Sequence, residues 1–329
     1  MDLGFIALSR FAFGYWEAQT LFSLVEFGVP ERLGTRALTT AELSGELDLP
    51  EQTIERLLNA SVALKLLDHS EGRYSNSPMS QRFLVPGTSE TLLNWVRVMG
   101  RWAPPWTKLS DAIRTGSPVE SQDARLGADP DYMRDFILGM HEFARRSSAL
   151  LAPFVDRHAR ALIDVGGGAG TYSIALCKDL PELRATVLDL APVLAVTRQT
   201  AASEGVADRL GTAIADYRTD PFGSNADIVL MSNVLHQETT EICRSMLHRA
   251  HDALRPGGQV LVQGYFLSAD RVSPTFVTLH NLSALALWAG GSSRTVAEMV
   301  EMLREAGFSG IDAAALGSSG LSLIRGRRE

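Results

Sequence analysis

The sequence predicts an α/β fold in which a doubly wound, Rossmann-like sheet of seven strands follows a mainly helical N-terminal domain of winged-helix type. Three observations carry this expectation. Ala161 to Gly170, ALIDVGGGAG, is a short apolar run ending in an acid and a cluster of glycines, the pattern of a buried strand that turns sharply into a helix. Two later strand-like runs end in acids of their own, Asp189 and Asp216. After Gly170, strand and helix patterns alternate as they do in a parallel sheet covered on both faces.

Taken in order, residues 3 to 27 carry apolar side chains at helical spacing, Leu8, Phe11, Tyr15, Ala18, Phe22 and Val25. Further bulky residues, Phe5, Phe13, Trp16 and Leu21, fall on other faces, and Gly28 and Pro30 end the helix. That surface needs a cover, either a second subunit or the rest of its own domain. From Thr39 to Leu84 the chain reads as a winged helix. Thr40 caps a helix at Ala41 to Leu47, Pro50 opens another through Leu67, and Tyr74 follows a Glu71-Gly72 turn. Such modules often read DNA. Here Arg36 to Asp68 sets Arg36, Arg56 and Lys65 against Glu42, Glu46, Asp48, Glu51, Glu55 and Asp68, a poor partner for phosphates. Residues 1–100 are therefore expected to form a dimerisation domain and partial lid, in a homodimer that binds no nucleic acid.

Residues 90 to 157 read as helices broken at Pro104-Pro105 and by a polar loop from Thr115 to Pro130 that holds Gly116, Pro118 and Gly127. Residues 101–157 are expected to bridge the domains and line the active site. Trp102, Trp106, Phe136 and Met140 are candidates for a small-molecule pocket there, although the same residue types also serve as ordinary core. Residues 158–329 form the ligand-binding sheet. Its strands run over Ala161 to Val165, Ala185 to Leu188, Leu210 to Ala215, Ala226 to Met231 and Gln259 to Phe266, with two short ones near Ile311 and from Leu321 to Ile324. A helix at Thr239 to Leu254, a turn at Pro256-Gly257-Gly258 and a helix at Thr295 to Ala306, stopped by Gly307, complete the pattern.

Loops like Gly166 to Gly170 cradle nucleotides, because backbone without Cβ atoms can approach a ligand closely. The dinucleotide spacing is met at Gly166 and Gly168 but fails at Thr171, which weakens a nicotinamide reading. Asp189 is placed to accept hydrogen bonds from both hydroxyls of a ribose, and Asp216 with Tyr217 to hydrogen-bond and stack an adenine. A lone loop Asp is commonly a helix cap. Three acids at three successive strand ends point instead to a nucleoside pocket.

Composition agrees with an ordinary globular protein: 329 residues, 45% apolar, net charge -7. The acidic balance gives no general attraction to nucleic acid or anionic membrane. Cys177 and Cys243 form no CxxC pair, which fits a reducing cytoplasm, and no basic leader or membrane-spanning run is expected.

The segments DVGGGAG, LDLAP, ADY, SNVLHQ, LRPGGQVLVQ and GGSSRT with EAGF follow one another over residues 160 to 310. In that order they resemble the dimeric small-molecule O-methyltransferases of plant phenolic and bacterial antibiotic pathways, class I enzymes that use S-adenosylmethionine (SAM). The resemblance implies SAM as methyl donor, held by Asp164, Gly166, Gly168, Asp189, Leu190, Asp216, Tyr217 and Ser232. It also implies His236 as general base toward a substrate hydroxyl.

Two departures stand out. His236-Gln237-Glu238 replaces the family's His-Asp-Trp, and Leu316 to Ser322 offers Gly317, Ser318, Ser319 and Gly320 where a C-terminal acid is expected. His280 occupies a position where bacterial relatives commonly carry Asn. Two imidazoles with Gln237 suggest a metal site of His236, Gln237 and His280, suited to Fe or Zn. This resembles the metal-dependent α-keto acid C-methyltransferases of peptide antibiotic pathways, in which a Lewis acid stabilises an enolate whose carbon takes the methyl. Metal-assisted C-methylation is therefore the leading expectation, with O-methylation of a phenolic or polyketide hydroxyl by His236 the alternative. A winged-helix regulator that only binds SAM is disfavoured by the acidic helices.

Overall fold

The computed structural model describes residues 3–317 and 320–329, and the chain divides into two compact units, residues 1–103 and 104–329. The first holds helices α1 (Leu3–Glu26), α2 (Val29–Leu33), α3 (Thr40–Leu47) and α4 (Glu51–Ala63), the hairpin β1 (Leu67–Ser70) and β2 (Arg73–Asn76), and α5 (Pro78–Phe83). The unit boundary falls within α6 (Leu93–Thr107). Leu24, Leu33, Leu43, Leu58, Leu67 and Tyr74 make the core of the first unit. The cap of α3 is Thr39 rather than Thr40, because Thr39 and Glu42 exchange side-chain and backbone hydrogen bonds as a capping box. α4 stops at Ala63, short of Leu67, since Lys65 takes a left-handed φ of 60° and Leu67 is drawn into pairing with Asn76. Glu71 and Gly72, both at positive φ, close the hairpin. Along α1 only Leu24 and Val25 are buried, while Leu8 is 69% and Phe11 82% exposed. Among the described residues of its own unit, none covers that face.

The second unit opens with α7 (Leu109–Thr115), α8 (Gln122–Ala128), α9 (Pro130–Ser148) and a 3-10 turn at Ala149–Phe154. Two local expectations are corrected here. Pro104 and Pro105 do not break the helix where they stand but sit in the last turn of α6; each lacks the N–H that would bond four residues back, and the helix ends soon after, at Thr107. The polar segment from Thr115 to Pro130 contains α8, whose first turn is capped by the Ser121 side chain and whose end passes to Asp129, the N-cap of α9.

The sheet comprises β3 (Ala161–Val165), β4 (Arg184–Asp189), β5 (Leu210–Ile214), β6 (Ala226–Ser232), β7 (Leu254–Tyr265), β8 (Ser309–Ala315) and β9 (Leu321–Arg327). Their order is β5-β4-β3-β6-β7-β9-β8, parallel from β5 to β7, with β9 antiparallel to both of its neighbours. Helices α10 (Thr171–Asp179), α11 (Ala191–Ser203), α12 (Thr240–Ala253), α13 (Thr275–Leu287) and α14 (Val296–Glu305) accompany the strands. Pro256-Gly257-Gly258 is not a turn before β7 but a bulge within it: pairing with β6 begins at Leu254, lapses, and resumes at Gln259. Two apolar clusters flank the sheet, one around Met231, Met246 and Leu303, the other around Leu162, Leu176 and Leu194. Strand order reverses between β3 and β6, so a crevice opens at the carboxyl ends of these strands, where doubly wound sheets bind ligands. Among the described residues no helix is long and apolar enough to cross a membrane.

Candidate active site

β3 delivers Asp164 and then the glycine loop to that crevice. Gly166 and Gly168 hold φ angles of 64° and 56°, which favour glycine, and a Cβ on Gly167 would lie 2.6 Å from Asp164 Cγ. Asp164 is 1% exposed and lies against the loop. Its Oδ2 accepts from Ser173 Oγ at 2.7 Å, while Oδ1 has no partner among the described residues. Burial pushes its pKa up to about 7, against the Ser173 hydrogen bond and with help from the charge of Asp189. At the end of β4 the Asp189 carboxylate accepts from Gly168 N at 2.9 Å and Leu190 N at 2.8 Å, and burial raises its pKa. Leu190 stands exposed at the N-cap of α11. Beyond β5, Asp216 accepts from Arg218 N, and the Tyr217 ring packs 3.4 Å from where a Cβ on Gly166 would stand. Ser232, last in β6, donates to Gln263 Oε1 at 3.1 Å, and Gln263 in turn donates to Tyr172 Oη.

The eight residues expected around the nucleoside thus lie along the carboxyl ends of four neighbouring strands. They suit SAM. The ligand's amines and ribose hydroxyls need acceptors, which the three acids supply, one with an orphaned oxygen. Above Gly168 the nearest atom to an added Cβ is Ile137 Cδ1 at 4.0 Å, so the loop faces open space.

His236 follows β6 in a short 3-10 turn, Leu235–Gln237, entered through Asn233 at a φ of 55°. Its ring meets His280 of α13 with centroids 4.7 Å apart and the edge of Trp288 at 5.4 Å. His280 also faces the Tyr265 ring at 5.2 Å and places Nδ1 3.3 Å from Ser293 Oγ. Burial pushes the His236 pKa well below the usual imidazole value, and His280, once protonated, and the Arg294 charge act in the same direction. Burial holds His280 at about 4. Both rings are neutral at pH 7. The turn is fixed from behind: Arg294 donates to Leu235 O at 2.9 Å and to Glu238 O at 2.8 Å, and Ser292 N donates to His236 O at 2.9 Å. A small pocket, open to solvent, adjoins His236 and is lined by Asn233, Tyr265, Phe266, Ser292 and Arg294.

Of the pocket candidates, Phe136 packs in a small cluster with Ala169 of the glycine loop, and Met140 is half-buried one turn further along α9. Trp106 is half-buried in the last turn of α6 and belongs to none of these clusters; Trp102 falls in the first unit. Of the metal candidates, His236 and His280 meet, whereas the Gln237 amide nitrogen is directed at Asn233 O, 3.5 Å away. Among the described residues no group of three or more His, Cys, Asp and Glu could hold a metal ion. Two imidazoles alone do not make the three-ligand face that an Fe or Zn site requires. Of the C-terminal segment without a carboxylate, Ser318 and Ser319 lie outside the described residues.

Sequence reasoning met Glu238 only as a departure from the family pattern, without a role, and passed over Arg218 and Arg294. The available signal was chemical: an acid directly after His236-Gln237, and a lone cation among the small residues of GGSSRT.

The O-methyltransferase domain model matches residues 106–309, and the O-methyltransferase dimerisation domain model matches residues 9–86. The chain belongs to the O-methyltransferase family. It is 34% identical to the 3-hydroxy-5-methyl-1-naphthoate 3-O-methyltransferase of Streptomyces sahachiroi over 95% of this chain and 92% of the relative. It is 31% identical to acetylserotonin O-methyltransferase of Bos taurus over 93% and 92% of the two chains. Human N-acetylserotonin methyltransferase in complex with SAM superimposes with a TM-score of 0.89 at 25% identity, covering 100% of this chain and 98% of that one. This O-methyltransferase family member is accordingly a SAM-dependent enzyme acting on a small molecule. The relatives give no support to a resident metal or to an α-keto acid acceptor, and the residues around His236 agree.

Proposed function

We propose that the enzyme methylates a hydroxyl oxygen on an aromatic or polyketide-like acceptor, with His236 as general base. The observation that carries this reading is a half-buried, neutral imidazole just after β6, beside the nucleoside crevice and walled by aromatic rings. In this reading SAM supplies a methyl group activated by the sulfonium. Asp189 orients the ribose, Asp216 and Tyr217 hold the adenine side, and the glycine loop with Asp164 receives the methionine end. His236 takes the hydroxyl proton as the oxygen attacks the methyl carbon; the carbon–sulfur bond breaks and its electron pair stays on sulfur. A neutral base does this without a carboxylate partner, because Arg294 and Ser292 hold its backbone while Trp288 and His280 hold its ring. Phe136 and Met140 on α9, and Trp106, are proposed walls of the acceptor pocket. The named substrate of the Streptomyces sahachiroi relative, a hydroxylated naphthoate, is acceptor chemistry of this kind. A second copy of the chain covers the apolar face of α1, in keeping with the dimerisation domain match. Two free, buried cysteines suit a reducing compartment such as the cytoplasm.

A second reading is metal-assisted C-methylation of an α-keto acid through His236, Gln237 and His280. The contact of the two imidazoles favours it; the missing third donor and the names of the relatives weigh against it. One experiment separates the two. Purified enzyme is incubated with SAM and, in turn, hydroxynaphthoates, phenols and α-keto acids, with EDTA or with added Fe or Zn, and products are read by mass spectrometry. Oxygen-methylated products that persist in EDTA and fall at least about a hundredfold in His236→Ala support the proposal. Methyl transfer only to carbon, and only with metal, would overturn it.

A further inference from the structure

Glu238 is 2% exposed and stands two residues after His236. A buried carboxylate is expensive unless its charge is met. Here Oε1 alone takes three donors: Tyr217 Oη at 2.9 Å, Arg218 Nε at 2.9 Å and Arg218 Nη2 at 2.8 Å. Arg218 continues to Asp123 Oδ2 of α8 at 2.7 Å. On its backbone side Glu238 accepts from Arg294, the same guanidinium that holds Leu235 O. Arg294 thus clamps the two ends of the base-bearing turn, and the Glu238 side chain clamps that turn to Tyr217. The Tyr217 ring in turn lies against Gly166 of the cofactor loop. Removing the carboxylate would leave a phenol without its acceptor and a guanidinium with only Asp123.

We propose that Glu238 is a positioning residue that joins the aromatic wall of the SAM site to the turn carrying His236, so that cofactor seated against Tyr217 finds the base already in register. This goes beyond the choice of acceptor, but it rests on Tyr217 lying in the SAM site. The Glu238→Gln side chain keeps the shape and one acceptor while losing the charge, and Tyr217→Phe loses only the hydroxyl.

The test measures the Kd for SAM by calorimetry, kcat at saturating SAM, and melting temperature. It uses wild type, the two single variants, their double variant and Tyr217→Ala. Loss of one charge-assisted buried hydrogen bond predicts a rise in Kd or a fall in kcat of about tenfold for each single variant. The double variant should be no worse than the more impaired of the two single variants, because both act on the same link. A Glu238 that only supports the fold would lower the melting temperature and leave Kd and kcat of the folded enzyme unchanged; that result, or full additivity in the double variant, overturns the proposal. Should Glu238→Gln fail to fold, Tyr217→Phe carries the same readout, and an unchanged Kd and kcat there also overturns it. Tyr217→Ala separates the underlying reading. An unchanged Kd would remove Tyr217 from the cofactor site, whereas a weakened Kd with Glu238→Gln at wild-type values would refute the link alone.

Discussion

Replacing Gly167 with alanine tests whether the loop after β3 is as tightly built as its geometry implies. The new Cβ would stand 2.6 Å from Asp164 Cγ and 2.7 Å from its Oδ2. Asp164 has little room to yield, since it is 1% exposed and bonded to Ser173 Oγ at 2.7 Å. Overpacking of a dense interior costs about 1–3 kcal/mol. Breaking the hydrogen bond between Ser173 and a buried carboxyl adds about 1–3 kcal/mol. The expected loss is therefore about 2–6 kcal/mol, a large part of the roughly 5–15 kcal/mol that typically separates folded from unfolded chains. SAM affinity should fall by at least about tenfold, because the loop must shift where the ligand seats. Urea unfolding and calorimetric titration with SAM measure both. Gly127→Ala is the control: an added Cβ there meets nothing within 4 Å, and alanine in α8 should stabilise by up to about 1 kcal/mol. A Gly167→Ala enzyme within about 0.5 kcal/mol of wild type, with SAM affinity unchanged, would refute the reasoning.

Three further outcomes follow from the same structure. The acid limb of kcat/KM should lie well below pH 6.5, since His236 is kept neutral by burial, His280 and Arg294, and His280→Asn should move that limb upward by removing a like charge. His141, bonded to Thr171 Oγ1 at 2.8 Å, has its pKa lowered to about 4 by burial, so the unfolded chain binds its proton first as pH falls below about 6.5. Stability should then drop between about pH 6.5 and 4, and at pH 5 this residue costs about 2 kcal/mol that His141→Asn does not lose, as read from urea midpoints at pH 7.5 and 5. Placing glutamate at Leu8 and Phe11, both largely exposed on α1, should convert a dimer to a monomer by light scattering without changing the fold of the catalytic unit.

Much of the site could be read locally. An apolar run, an acid and clustered glycines can only be a strand entering a tight turn, since the pattern depends on neighbours two to four residues apart. Asp189 and Asp216 follow from the same rule, because a strand's last residue is placed by the strand itself. Capping was legible to within one residue at Thr39, and the sheet to within a residue or two at its ends. α8 was not legible: its polar sequence looks like a loop, and only the caps at Ser121 and Asp129 mark it as helix.

What the sequence by itself determined is the sheet, the order of its strands' ligand-binding ends, the family, and the residue types facing the cofactor, all set by short-range periodicity and by motifs that hold their spacing. Tertiary structure alone decided which distant groups meet. His236 and His280 touch because α13 folds back over the turn after β6, while Gln237, adjacent to His236 in sequence, turns toward Asn233 instead. Arg294 reaches the His236 turn from just before α14, and Glu238 reaches Tyr217 from the far side of β3 and β4 in sheet order. Periodicity carries no record of such contacts, because the burial that selects them arises only when elements far apart in the chain pack together.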